Sequence, residues 1–102
     1  MRARGRAVAA LLALAPLASG CVTPPDSATV LASAGGTGPG DAFVVATREQ
    51  EFEILRLLGL RNDSRTVHAI DGTRYDVFAT TDPRTGEARE VWFDISRFLG
   101  RS

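Results

Sequence analysis

Past residue 60 the apolar residues of this chain stop recurring at helical spacing and begin to alternate, and Asp71-Gly72 sits in the middle of the alternating stretch. A period of two belongs to a strand with one covered face, and it cannot share an element with the period of 3.6 that precedes it. Asp-Gly is the dipeptide a two-residue hairpin loop favours, because both positions need positive φ. Strands are therefore expected over Thr66 to Ile70, Thr73 to Thr81 and Glu87 to Ile95. The second loop is Asp82-Pro-Arg-Thr-Gly86, with Pro placed for a type I turn and Gly for the left-handed residue after it.

Upstream, Thr47-Arg-Glu-Gln50 fits a capping box and starts a helix at Arg48, with Gly59 as its terminator. Glu49, Glu51 and Glu53 occupy the first turns, where the helix dipole favours carboxylates. Phe52, Leu55 and Leu58, widened by Ile54 and Leu57, form a stripe assigned to core packing. Phe43-Val-Val-Ala46 is a short apolar run before it, and Ser96 to Gly100 is expected to add one helical turn with Phe98 and Leu99 folded onto the sheet. The expected fold class is α+β, one helix on a small antiparallel three-stranded β-meander.

If Val77 lies opposite Val91, then Tyr75, Val77, Val91, Phe93 and Ile95 meet the helix, and Arg74, Asp76, Phe78, Glu90, Trp92 and Asp94 share the reverse face. Aromatic anchors with a charged rim suit an interface, so Trp92, Phe78, Arg74 and Asp94 are the candidate partner-binding residues. The plainer alternative is a cross-strand aromatic pair flanked by an Arg74–Asp94 charge pair, or a face covered by residues 61 to 65 or by the tail.

The first twenty residues read as an address. Arg2, Arg4 and Arg6 precede an uncharged apolar run from Ala7 to Ala18, followed by Ser19-Gly20-Cys21. This is the three-part secretory layout. Twelve helical residues rise about 18 Å against a hydrocarbon core of roughly 30 Å, so the run is too short for a permanent span. Leu17-Ala-Ser-Gly-Cys21 resembles the lipobox of bacterial lipoproteins, with Ala18 three places before the cysteine and Leu17 one place earlier. The resemblance implies cleavage between Gly20 and Cys21, acylation of Cys21, and anchoring to a lipid bilayer; Val22 after the cysteine implies residence in the outer membrane, facing the periplasm. An ordinary signal peptide cut after Gly20 is the alternative. Cys21 is the only Cys in the chain, and lipidation accounts for an exported protein with one unpaired thiol.

Residues 22 to 42 contain three Pro, four Gly and no aromatic residue, and are expected to be a disordered tether from the lipidated Cys21 to a folded domain over residues 43 to 102. As a coil it would span about 25 Å. The bland alternative is a frayed helical turn over Ala28 to Ala34. A domain of some sixty residues buries little surface, so marginal stability or homo-oligomerisation is expected.

All twelve basic residues are Arg, and from Cys21 onward nine Arg face twelve acidic residues, a balance of −3. Such a body lacks the basic face that nucleic acid requires. His68 is the only His, which excludes multi-histidine metal sites and leaves one base at most for nucleophilic catalysis. The sheet carboxylates Asp71, Asp76, Asp82, Glu87, Glu90 and Asp94 show no spacing that forces an acid–base pair, and Gly35-Gly-Thr-Gly38 lacks the strand and Lys of a phosphate loop. No enzyme, cofactor or metal is expected. A helix followed by a three-stranded meander, with His68-Ala-Ile-Asp-Gly-Thr-Arg-Tyr-Asp-Val-Phe78 as its strand-turn-strand, is similar in outline to the PepSY-type modules of exported bacterial proteins over residues 48 to 95. That likeness carries no site residue. The expected function is a membrane-anchored envelope lipoprotein with a non-catalytic binding or assembly domain that meets an envelope protein; the alternative is a periplasmic small-ligand or metal-binding module.

Overall fold

The computed structural model describes residues 24–98. The signal segment 1–20, the Gly20–Cys21 cleavage and lipidation site, and Leu99 lie outside the described residues. In chain order the elements are α1 (Ser27–Ser33), a 3-10 turn (Pro39–Asp41), β1 (Phe43–Val44), α2 (Arg48–Leu58), β2 (Arg61–Ile70), β3 (Thr73–Thr81) and β4 (Ala88–Asp94). The strands form one four-stranded sheet in the order β1-β4-β3-β2. The three-stranded antiparallel meander is thus β2-β3-β4, and the expectation of three strands and one helix falls short by β1, which pairs parallel to β4, and by α1.

The helix over Arg48–Leu58 starts and stops for the reasons its sequence suggests. Thr47 accepts from the Gln50 amide at 3.1 Å, while the Gln50 side chain accepts from Ala46 N–H at 2.8 Å, one residue earlier than in a strict capping box. Gly59 ends it in the left-handed region at φ 74°, and the Leu60 amide reaches back to the Leu55 carbonyl. The buried stripe is rotated from the expected one. Ile54 and Leu55 are buried, but Phe52 and Leu57 are 45% and 52% exposed, and the position one turn before Ile54 and Leu55 is taken by Glu51, which is fully buried.

The second correction concerns register. The second loop closes through the Asp82 amide on the Glu87 carbonyl and leaves four residues, Pro83 to Gly86, with Gly86 at φ 80°, one more than the expected register allows. This pairs Val77 with Trp92 and Phe78 with Val91, not Val77 with Val91. Because side chains alternate, a shift of one flips every β3 residue relative to β4. Phe78 therefore joins Val91 and Phe93 under the helices, its ring edge-on to Phe93 at 5.5 Å, and Val77 and Tyr75 go to the outer face with Trp92.

The third correction concerns residues 26 to 42, which belong to the folded body and are not a free tether. Asp26 caps α1 by accepting from the Thr29 amide at 2.8 Å, and Val30 enters the core with Phe43, Val45, Ile54, Leu55, Phe78, Val91, Phe93, Ile95 and Phe98. Past α1 the Gly36 carbonyl accepts from the Trp92 amide, continuing the edge that β1 covers only at Phe93 and Asp94. A Pro- and Gly-rich composition lacks core-forming residues on average, but Val30 with Leu31 and Ala34 beside it, Ser27 on Glu53, and the Gly35 and Gly36 carbonyls on β4 dock it. Burying a Val side chain contributes about 1.5–3 kcal/mol. Val30→Ala should lower the unfolding free energy measured in urea by about 2 kcal/mol; an undocked segment would give no change.

Candidate functional site

Two arrangements of side chains stand out, one under the helix and one on the opposite face of the sheet. Beneath the first turn of α2, the carboxyls of Glu51 and Asp76 are both fully buried. Arg48 sends one nitrogen, Nη1, to Asp76 Oδ2 at 3.1 Å and to Glu51 Oε1 at 3.3 Å; Arg65 of β2 sends its own Nη1 to Asp76 Oδ1 at 3.0 Å. The Arg48 guanidinium lies 5.5 Å over the ring of Phe98, which the turn after β4 folds back onto this end of the molecule. The two guanidiniums keep 43% and 41% of their side-chain surface in solvent. They snorkel, with their stems over the core and their heads at its rim.

Glu51 Oε2 has no hydrogen-bond partner. An ionised carboxylate left so would carry an unsatisfied charge in the interior, whereas a protonated one becomes a donor to the neighbouring Asp76. Burial first, then the hydrogen bond and charge of Asp76, push the Glu51 carboxyl up to about 9, against the smaller opposing pull of Arg48 and Arg65. One proton thus joins two carboxyls and two guanidiniums into a unit tying α2 to β2 and β3. Both carboxyls are sealed from solvent, so no substrate can approach their oxygens in this arrangement. The helix dipole alone accounts for Glu51 in the first turn, and alternation from the expected register puts Asp76 on the reverse face; the legible signal is that residues 51, 54, 55 and 58 fall on one side of a helix.

The outer face carries Trp92, Tyr75, Val77 and His68. His68 and Trp92 stand on β2 and β4 with β3 between them. Strands two apart are separated by about 9.6 Å, yet the two rings meet with centroids 5.4 Å apart. They lean toward each other across β3 and roof it. Tyr75 meets Trp92 edge-on at 5.6 Å, and Val77 and Tyr75 beneath are 4% and 8% exposed. The Trp92 indole N–H donates to Glu90 at 3.3 Å.

Of the four candidate partner-binding residues, this face brings together Trp92 and Asp94. Phe78 is in the core at 2% exposure. Arg74 is exposed on the helix-bearing side, facing away from Asp94, whose carboxylate instead caps the following turn by accepting from Ser96 N–H at 2.9 Å. The expected Arg74–Asp94 pair is absent because the register shift puts the two on opposite faces. No group of three or more His, Cys, Asp or Glu among the described residues is arranged to hold a metal ion, and no described helix is long and apolar enough to cross a membrane.

No protein-family model, curated protein or solved structure matches this chain.

The raised Glu51 carboxyl makes stability depend on pH in a stated direction. The unfolded chain releases this proton near 4.5 and the folded chain near 9, so the contribution is full below pH 4.5 and is lost as pH rises toward 9. Glu51→Gln keeps the shape without the titration. The variant should gain stability relative to the parent as pH rises from 5 to 9, with a limiting slope of about 1.4 kcal/mol per pH unit; parallel melting curves at every pH would refute the shared proton. Asp76→Asn, which leaves two guanidiniums without their buried acceptor, should cost about 3 kcal/mol.

Proposed function

We propose that this chain is a bacterial envelope lipoprotein, held to a bilayer through acylated Cys21, whose folded body binds a partner protein and performs no catalysis. The anchoring half of the reading rests on the Leu17-to-Cys21 segment, which lies outside the described residues. Two or three acyl chains at about 0.8 kcal/mol per buried CH₂ exceed what stable anchoring needs. Val22 after the cysteine favours the outer membrane, with the body in the periplasm.

The binding half rests on one observation, the roofed aromatic face. Trp92 is half-buried and exposes part of its ring between the carboxylates of Glu90 and Asp94, on the sheet surface opposite both helices. A rigid aromatic with an acidic rim, already ordered by its neighbours, loses little side-chain entropy when a partner covers it. A basic or neutral apolar protein surface is the complementary one.

Cys21→Ser should abolish palmitate incorporation and release the chain into the soluble fraction; unchanged membrane association would remove the anchor from the reading. For the binding face, Trp92→Ala also strips the roof from Val77, so Glu90→Lys is the sharper probe because it reverses the rim while the aromatic packing stays. A photo-crosslinker placed at Ala79, the exposed cross-strand neighbour of Glu90, should yield one discrete adduct in live cells that Glu90→Lys reduces at least tenfold. An adduct insensitive to that change would refute this face.

A further inference from the structure

We propose that β2 is a self-association edge: two copies of the chain pair antiparallel along β2, about a two-fold axis at Val67, and join their sheets into one. The strand lies at the end of the sheet and pairs with β3 on one side only. All of its ten residues except Ile70 are exposed. Natural edges of this kind are normally blunted by Pro, by inward charges, by shortness or by a bulge. Here there is a bulge between Asn62 and Ser64 and one inward charge, Arg65, which Asp76 neutralises; Ser64 to Ile70 is otherwise regular strand without Pro.

Hairpin geometry decides which peptide groups are free. Asp71 and Gly72 have φ of 50° and 81°, the two-residue loop with both positions left-handed, and such a loop makes Ile70 and Thr73 a hydrogen-bonded pair. Counting back by twos, Ile70, His68, Thr66 and Ser64 direct their amides and carbonyls to β3. Ala69, Val67 and Arg65 direct theirs outward, away from the sheet. Their side chains share the helix-bearing side, where Val67 is 50% and Phe52 is 45% exposed.

The regular stretch picks its own partner. It is bounded by the bulge at one end and the turn at the other, and its midpoint is Val67. A two-fold axis there pairs the whole length, with Ser64 on Ile70, Arg65 on Ala69, Thr66 on His68 and Val67 on its own copy. The outward residues then exchange about six main-chain hydrogen bonds. Within this stretch no two like charges face each other, and Asp63 and Asp71, which the axis brings opposite each other, lie outside it in the bulge and the turn. An axis at Arg65 would oppose two guanidiniums, and one at Ala69 would run the turn into the strand. Self-complementarity of this kind, coinciding with an outward-facing and half-exposed β-branched residue, favours a second copy over a foreign strand. This edge is distinct from the outer face, so either assignment can fail alone.

Hydrogen-bonded antiparallel partners lie with Cα atoms about 5.5 Å apart, within disulfide range. The full-length chain carrying Val67→Cys, oxidised in intact envelopes, should run mainly at twice its mass on a non-reducing gel. The same chain carrying Arg84→Cys, at the tip of the other hairpin, should stay single, as should the parent with Cys21 alone. Glu90→Lys on the outer face should leave the Val67→Cys dimer intact. Val67→Lys, accommodated by the half-exposed site, should weaken association of the detergent-solubilised full chain at least tenfold in sedimentation while its circular dichroism is unchanged. The proposal is overturned if Val67→Cys crosslinks no better than Arg84→Cys, if it crosslinks to a polypeptide of another mass, or if Val67→Lys associates as the parent does.

Discussion

One buried carboxylate holds the two halves of this molecule to each other. Asp76 accepts from Arg48 at the start of α2 and from Arg65 on β2, and it lies against a second buried carboxyl, Glu51. An apolar core fixes how much surface is hidden but says little about the rotation of a helix over a sheet. The acceptors of Asp76 are directional and fix that rotation: they turn Glu51 inward and leave Phe52 and Leu57 at the edge of the stripe. Buried ionic groups give modest net stability and are costly to break singly, so what this cluster contributes is a preferred geometry.

Around that clamp the sheet carries two apolar layers of unequal size. The larger lies under the helices and centres on Phe93, which Phe43 and Phe78 flank at 5.8 and 5.5 Å. The smaller lies on the other side, where His68 and Trp92 close over Val77 and Tyr75. A short domain cannot afford a bare sheet face. Aromatic side chains long enough to bridge over the central strand supply a second layer without a second helix, and the same rings leave Trp92 as the one large aromatic at that surface.

Much of the local structure was readable from residue order, and the reason lies in local chemistry. Thr47, Gly59 and Asp71-Gly72 act on backbone groups within four residues of themselves, so α2 and the β2–β3 hairpin follow from them. What escaped depends on single increments. The extra residue at the Asp82–Gly86 loop moves Phe78 to the core and Val77 to the outer face, and alternation alone cannot tell which parity a loop delivers. Asp26, Ser27 and Val30 dock a stretch whose composition argues for disorder, because capping and a few buried side chains are not visible in an average. The Glu51–Asp76 contact joins a residue expected at the dipole end of the helix to one expected on the opposite face of the sheet, and only the three-dimensional meeting of α2, β2 and β3 explains it.

The parallel pairing of β1 with β4 sets an order on how the chain can close. Phe43 and Val44 find their neighbours at Phe93 and Asp94, and between them run a helix and a complete hairpin. β1 therefore waits for the last strand, whereas the capped first helix already has α2 beside it, through Ser27 donating to Glu53 and Gln50 donating to the Pro25 carbonyl. A chain emerging amino end first therefore completes its sheet only when the last strand is made, because β1 with β4 is the pairing of greatest sequence separation in that sheet.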